Sequence, residues 1–257
     1  MPWLTHGFTL RHPINSDPKL TLDFNNKINN KKQISSRNQL IKTLSGRNLP
    51  LVLLNQTHSE EIYCLDQFTP VDSIKTADAL ITTLPEILLG IQVADCLSVL
   101  VVDPSNRVIA AIHAGWRGLL KGVVPKTIAL MKSNYSVNPR DCIAVIGPSI
   151  GSCCYQVGDE VANAFLKNFE RQGSIFDTRP NSHPHFMELY NLPLYDPITR
   201  TLNLRAACSF QLQSFGLLPD KISSEPPCTF CHNKVFFSYR GDKGRTGRML
   251  AIIGLLS

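Results

Sequence analysis

Three residues, His58, Cys96 and His113, are of types that hold a soft or borderline metal ion, and each stands where a short apolar run begins or ends. His58 follows the run 51–55 in Asn55-Gln56-Thr57-His58-Ser59. Cys96 closes Val93-Ala94-Asp95-Cys96 just ahead of the run 97–102, and His113 ends the run 107–113. Two imidazoles and a thiolate suit zinc. Three protein ligands leave one coordination position open for water, phosphate or substrate, which marks a catalytic rather than a structural site. Their separations along the chain are not those of a zinc finger, so the fold would have to assemble them. Types and spacing also admit a plainer reading, in which a strand-end histidine is a hydrogen-bonding residue and a lone cysteine is core packing. The same donors form the core of blue-copper sites, and copper(II) outcompetes zinc at most nitrogen and sulfur sites. Multicopper oxidation, by contrast, needs many histidines, and the chain has 7.

Other residues near these positions could assist. Arg117 lies on the glycine-flanked turn Ala114-Gly115-Trp116-Arg117-Gly118, which leads into a helical stretch. A guanidinium there suits bidentate phosphate binding, with the helix N-terminus adding positive partial charge; the alternative is an arginine paired with a carboxylate. Ser149 belongs to Gly147-Pro148-Ser149-Ile150-Gly151, a loop after a strand that could turn backbone N–H groups toward an anion or simply form a tight turn. Gln56 and Asp95 are close enough in sequence to the candidate ligands to orient an imidazole, with an ordinary turn carboxylate as the rival for Asp95. Cys228-Thr229-Phe230-Cys231-His232 matches the haem-attachment pattern in form, but reads better as half of a second metal site or as two buried thiols. Cys153-Cys154 reads as packing, and Arg240-Gly241-Asp242 as a chance tripeptide.

The elements that must position these residues are short. Runs at 51–55, 61–65, 88–93, 97–102 and 107–113 are rich in branched apolar residues and bounded by Gly, Pro, Asn and Asp, as buried strands are. Asp103-Pro104-Ser105-Asn106 reads as a hairpin connection. Residues 119–133 predict a helix that Pro125 restarts or kinks. Residues 142–147 predict a strand, 158–168 and 203–215 helices, and 235–239 and 249–256 closing strands. The polar segment 15–48 predicts loops with one short helix over 37–44, and 172–184 a long loop. Strands followed by helices set between later strands predict a mixed α+β or α/β fold in one domain over residues 1–257.

Composition narrows the class. The 257 residues are 43% hydrophobic and 18% charged, an ordinary globular balance. The net charge of +6 and pI near 8.9 come from scattered basic residues without a recognition module, so no nucleic-acid partner is expected. No signal-like start and no run long enough to span a bilayer occur, which predicts a cytoplasmic chain with no membrane partner. The 8 cysteines then read as reduced thiols.

Several motifs together resemble those of the YfiH (DUF152) family, also called multicopper polyphenol oxidase or laccase-domain proteins. They are Asn55-Gln56-Thr57-His58, Asp78-Ala79-Leu80-Ile81-Thr82, Val93-Ala94-Asp95-Cys96, Ile112-His113-Ala114-Gly115-Trp116-Arg117-Gly118, Ile146-Gly147-Pro148-Ser149-Ile150-Gly151, Cys154-Tyr155-Gln156-Val157-Gly158 and Phe236-Phe237-Ser238-Tyr239-Arg240. They follow the family's order and span roughly residues 50–256, leaving 1–49 as a divergent N-terminal part. The resemblance implies mixed β-sheets flanked by helices, similar to the catalytic domain of cytotoxic necrotizing factor. It implies a zinc-dependent purine nucleoside phosphorylase acting on adenosine, inosine, guanosine or methylthioadenosine with inorganic phosphate, and an adenosine deaminase side activity. It carries the metal and catalytic roles onto His58, Cys96 and His113 and a pocket role onto Arg240; beside it, Arg117 is read as a further catalytic residue and Gln56, Ser149 and Tyr239, with Arg240, as substrate contacts.

The chain departs from the family in two places. The usual Gly-Gly-Val-Ser loop corresponds to Arg11-His12-Pro13-Ile14-Asn15-Ser16, without either glycine, and Gly241 follows Arg240 where a second arginine is usual. Both departures bear on substrate specificity and leave the three metal-ligand types intact. Rival activities are a copper polyphenol oxidase, a hydrolase or deamidase with Cys96 as nucleophile and His113 as base, and an enzyme editing peptidoglycan precursors. Oligomeric state is not fixed by any of these motifs.

Overall fold

Every residue of the strand Val108–Ala114 is buried, and its alternation shows why. Val108, Ala110, Ile112 and Ala114 belong to one apolar cluster, whereas Ile109 and Ala111 belong to another, so the strand is covered on both faces. A strand covered twice has no polar side to show in its sequence, which is why these runs read as continuous rather than alternating.

A computed structural model describes residues 1–12, 31–65, 75–176 and 194–257. The chain runs β1 (Leu4–Phe8), α1 (Lys31–Ser45), β2 (Leu51–Val52), β3 (Ile62–Leu65), β4 (Ala79–Thr82), β5 (Ile87–Val93), β6 (Leu97–Asp103) and β7 (Val108–Ala114). It continues through α2 (Trp116–Lys121), α3 (Val123–Tyr135), β8 (Ile143–Ile146), α4 (Asp159–Phe176), β9 (Tyr195–Asp196), β10 (Thr201–Leu202), α5 (Leu204–Ser214), β11 (Ile222–Ser223) and β12 (Met249–Leu255). Two mixed sheets dominate: a four-stranded one in the order β1-β12-β5-β2 and a six-stranded one in the order β11-β8-β6-β7-β4-β3. Between them lies an apolar layer that includes Leu89, Ile91, Leu100, Ile109, Ala251 and Phe237. Ile41 of α1 packs with Leu88, Leu250 and Ile252 on the outer face of the smaller sheet. Val123, Ile128, Phe165 and Ala207, from α3, α4 and α5, cover the outer face of the larger one. The fold is α+β, as its sequence pattern predicts.

Local chemistry explains the elements. Asp103 closes the β6–β7 hairpin by accepting from the Ser105 backbone N–H (2.8 Å) and the Asn106 side chain (2.7 Å), and the pairing register puts Leu97 opposite Ala114 and Ser98 opposite His113. In α4, Ala162, Phe165 and Phe169 recur at helical spacing and are buried. Asn203 caps α5 by accepting from the Ala206 N–H.

Some boundaries differ from expectation. The helix expected over 119–133 breaks at Gly122, whose φ of 81° is a left-handed conformation, and α3 restarts there. Pro125 therefore sits in a first helical turn, where its missing N–H costs no bond. The short helix expected over 37–44 begins earlier, at Lys31. Helix α4 runs on to Phe176, so 172–176 are helical rather than loop; 177–184, like 15–30, lie outside the described residues. Residues 235–239 run from a turn into irregular loop and form no closing strand. The Val235 and Phe236 N–H groups both donate to the His232 carbonyl, and the adjacent Phe236 and Phe237 are both buried. No helix among the described residues is long and apolar enough to cross a membrane.

Candidate metal centre

The parity of β7 aims His113 toward the layer between the sheets, on the same side as Ile109 and Ala111, at the strand's last turn of pleat before Ala114. Cys96 precedes β6, which pairs with β7, so both side chains reach the same end of the layer. His58 arrives on the loop after β2. The ligand atoms of His58, Cys96 and His113 all lie within 4.8 Å of one another, and the two imidazole rings meet edge to face at 4.8 Å between centroids. The fold thus brings together three residues that the sequence scatters.

Asp78, immediately ahead of β4, is what holds the two histidines. It is fully buried. Its carboxylate accepts from the ring Nδ1 of His113 at 2.7 Å. It also accepts from the backbone N–H groups of Thr57 (3.2 Å), His58 (3.0 Å) and Ser59 (2.7 Å), and from the Ser59 hydroxyl (2.6 Å). His58 has a φ of 58°, a conformation that costs a residue with a Cβ on the order of 1 kcal/mol. The ring of N–H groups closed around Asp78 offsets that cost and turns the His58 ring into the site. A proton on Nδ1 of His113 leaves Nε2 as the free ligand atom, the usual carboxylate–histidine–metal relay.

Electrostatics follow from this geometry. Burial opposes ionisation of Asp78 and is the largest influence on it, but the bonds from His113 and Ser59 outweigh burial and hold the carboxyl well below its ordinary range. Burial likewise opposes charge on His113 and Cys96. Hydrogen bonds to Asp78 and Cys96 raise the imidazole to about 9, and those from His113 and His58 bring the thiol down to about 6. The contact thereby favours the thiolate, the form that binds metal.

A cleft of about 390 Å³ opens onto these ligands, within the size range of small-molecule sites. Besides His58, Cys96 and His113 it is lined by Asn55, Gln56, Gln92, Tyr239 and Arg248, among others. Gln56 exchanges two hydrogen bonds of 2.8 Å with the backbone of Gln92, tying the His58 loop to the end of β5. Tyr239 is half exposed on the cleft, and the guanidinium of Arg248 stands 6.0 Å from its ring.

The remaining residues named from the sequence take other places. Arg117 is exposed and stacks on Trp116 at 4.2 Å. The Arg240 side chain donates to the Gln156 carbonyl (3.0 Å) and covers the Tyr155 ring at 5.4 Å. Burial is the main influence that raises the Tyr155 phenol, to about 12, with smaller contributions from the charges of Cys96, Arg240, Asp95 and Arg117. Ser149 is fully buried, and its hydroxyl accepts from Arg205 at 3.1 Å. Asp95 contacts neither imidazole. It accepts from the Thr229 hydroxyl and the Arg240 backbone N–H, both at 2.6 Å, and so clamps the C-terminal loop beside Cys96. Sequence reasoning does not single out Asp78 or Arg248, although Asp78 heads one of the recurring motifs.

Gly115 shows how tightly the site is built. A Cβ there would come within 2.8 Å of His58 Nδ1 and 3.1 Å of Cys96 Sγ, although its φ of −71° is open to any residue. Gly115→Ala is therefore expected to push the three side chains apart and weaken retention of a metal ion added to them by about tenfold or more, with only a modest loss of stability, as read by chelator competition and thermal melting. Unchanged retention would show that the ligands have slack.

A two-sheet α+β protein whose cleft ends on two histidines and a cysteine defines the class. The family described as multi-copper polyphenol oxidoreductase laccase matches residues 5–256, and the chain belongs to that family. Among its relatives, "Purine nucleoside phosphorylase" of Haemophilus influenzae is 31% identical over 98% of this chain and 95% of its own length, and "Purine nucleoside phosphorylase YfiH" of Escherichia coli 33% identical over 84% and 79%. "Purine nucleoside phosphorylase YlmD" of Geobacillus stearothermophilus is 34% identical over 71% of this chain, and the aligned part spans 61% of that protein. The YlmD crystal structure from the same organism superposes with a TM-score of 0.80 at 27% identity, covering 100% of this chain and 94% of that one. The Bacillus licheniformis YfiH structure gives a TM-score of 0.79 at 28% identity, covering 98% and 92%.

Proposed function

We propose that the chain is a metal-dependent purine nucleoside phosphorylase. The observation that carries this is the convergence of His58, Cys96 and His113 at the floor of a polar cleft, in a chain whose relatives bear that activity in their names. The donor set fits zinc: borderline nitrogen and soft sulfur, a thiol whose ionised form its neighbours favour, and an acidic partner behind one imidazole. A bound divalent ion would supply Lewis acidity toward an anionic oxygen of the substrate.

In phosphorolysis, phosphate forms a bond to the anomeric carbon as the bond from that carbon to the purine breaks, through a state with oxocarbenium character. The protein's task is to hold phosphate in line and to stabilise separated charge. Arg117 and Arg240, both within electrostatic reach of Tyr155, are our candidates for binding phosphate, with Arg248 as a third cation on the cleft wall. Tyr239 offers a ring face for the purine, and Gln56 lines the same cleft while its amide is tied to the Gln92 backbone. Adenosine deamination at the same site is the proposed side activity.

The test is release of hypoxanthine from inosine, or adenine from adenosine, by purified protein with and without inorganic phosphate. Release that depends on phosphate is expected. Equal release without it would replace phosphorolysis by hydrolysis.

A second reading is favoured by one contact. Cys96 hydrogen-bonds His113 and is held as a thiolate, which also describes a thiol nucleophile with its base. Alkylation of Cys96 should be blocked by bound zinc if the thiolate is a ligand. Activity in zinc-loaded protein that alkylation still destroys would favour the hydrolase.

A further inference from the structure

A second group of thiols lies away from the cleft. The sulfurs of Cys153, Cys154, Cys228 and Cys231 are all within 4.8 Å of one another. Cys231 Sγ is 3.4 Å from Cys154 Sγ and 3.6 Å from Cys153 Sγ. Four sulfurs held about 2.3 Å from one tetrahedral ion stand about 3.8 Å apart from each other, and the two Cys231 separations lie close to that value with the rest within 4.8 Å. We infer that Cys153, Cys154, Cys228 and Cys231 form a second, structural zinc site.

Packing does not account for the cluster, because Cys153 and Cys231 are exposed, contrary to the packing role that sequence suggests for Cys153-Cys154. Nor does disulfide exchange, which would single out pairs. Cys231 stands nearly equally close to two partners, Cys154 and Cys153.

The surrounding backbone is organised for the same end. Cys154 and Tyr155 N–H groups both donate to the Gly151 carbonyl, and the His232 N–H donates to the Cys228 carbonyl, so each pair of thiols rides on a tight turn. The turns are joined by the Ser149–Cys228 bridge, and the Thr229 N–H donates to the Ser149 carbonyl. The Gly151 N–H donates to Cys228 Sγ at 3.2 Å, the contact that steadies a charged thiolate. Gly151 also leaves the space the sulfurs need, since a Cβ there would meet Cys153 Sγ at 3.1 Å. Four thiolates around one divalent ion leave two negative charges in excess. Arg205 is near enough to act on Cys228, Cys153 and Cys231, and it donates to the Ser149 and Pro227 carbonyls between the two turns.

Closing all four positions with protein sulfur leaves no place for substrate, so the role is support. The ion would pin residues 149–156 to the loop that carries Thr229 and Arg240. Both of those are bonded to Asp95, next to Cys96.

The test uses the full chain and counts metal rather than turnover. Elemental analysis and native mass spectrometry of the wild type should find two zinc ions per chain. Cys96→Ser leaves the four thiols untouched and should retain one ion. C153S/C231S should also retain one, with a lower melting temperature, and the triple variant none. Cobalt-loaded Cys96→Ser should show the intense visible bands of a tetrathiolate, and C153S/C231S should lack them. The inference is overturned if Cys96→Ser protein binds no zinc and its four cluster cysteines titrate as free thiols or as disulfides. An unchanged zinc count in C153S/C231S would overturn it as well. Were the cleft to hold no metal, wild type and Cys96→Ser should each carry one ion and C153S/C231S none, so failure of the cleft site and failure of the thiol site give different counts.

Discussion

His113→Ala is expected to abolish zinc at the cleft and phosphorolysis with it, and to destabilise the protein in a way that His58→Ala does not. The imidazole of His113 is buried and bonded to the buried carboxylate of Asp78. Removing the imidazole takes away the ionic partner of a buried charge, a loss of up to about 3–5 kcal/mol that the N–H groups of residues 57–59 still bonded to Asp78 reduce in part. His58 is only half buried, and its link to Asp78 runs through its backbone N–H, which survives truncation of the side chain. Both variants should lose at least 100-fold in phosphate-dependent turnover. Only His113→Ala should show a large drop in melting temperature, measured on metal-free wild type and variants alike. Full phosphorolysis by a metal-free variant would refute the proposed metal dependence. Equal melting temperatures would show that the Asp78–His113 contact is worth little to the fold.

How far the sequence discloses this site depends on which residues lie close together along the chain. Strands β5, β6, β7 and β12 are legible because both faces of each are covered, which produces apolar runs bounded by turn residues. The same rule misleads at residues 235–239. There two consecutive phenylalanines fill the inter-sheet layer from an irregular loop, and composition cannot tell a loop that is buried from a strand that is. The ligand triad is suggested by residue type and strand-end placement. That the three meet is a property of the β6–β7 register and of the loop that Asp78 holds.

Asp78 itself is hidden by distance. It lies 20 residues from His58 and 35 from His113, and a lone aspartate before an apolar run is indistinguishable from a turn residue. The four-thiol cluster is obscured in the same way, because 77 residues separate Cys154 from Cys231 and adjacent cysteines do not have the spacing of a zinc knuckle. Positive φ at His58 and Asp95 is likewise invisible in a sequence without glycine at those positions. In each case the missing information is the bond that stabilises an unfavourable local choice.

Asp78→Asn separates charge from shape at that hub. The amide is nearly the size of the carboxylate, but it replaces one acceptor oxygen by a donor, which then faces the N–H groups of residues 57–59 or the ring of His113. Each buried donor left unmatched costs about 1–3 kcal/mol. The His58 loop should relax, and the His113 ring should lose the partner that fixes its tautomer. Zinc affinity is expected to fall by about 10–100-fold or more, the scale seen when a carboxylate behind a metal-bound histidine is removed. The pH dependence provides an independent check. Asp78 is held below its ordinary value in the folded protein, so its contribution to stability is fully present above a pH of about 4 and is lost as the pH falls further. Denaturant titrations of the metal-free proteins should show the largest difference between wild type and Asp78→Asn at neutral pH, and a narrowing gap below pH of about 4. A gap that stays constant through the acid range would mean that the Asp78 charge contributes nothing to holding the two histidines, and that shape alone builds the site.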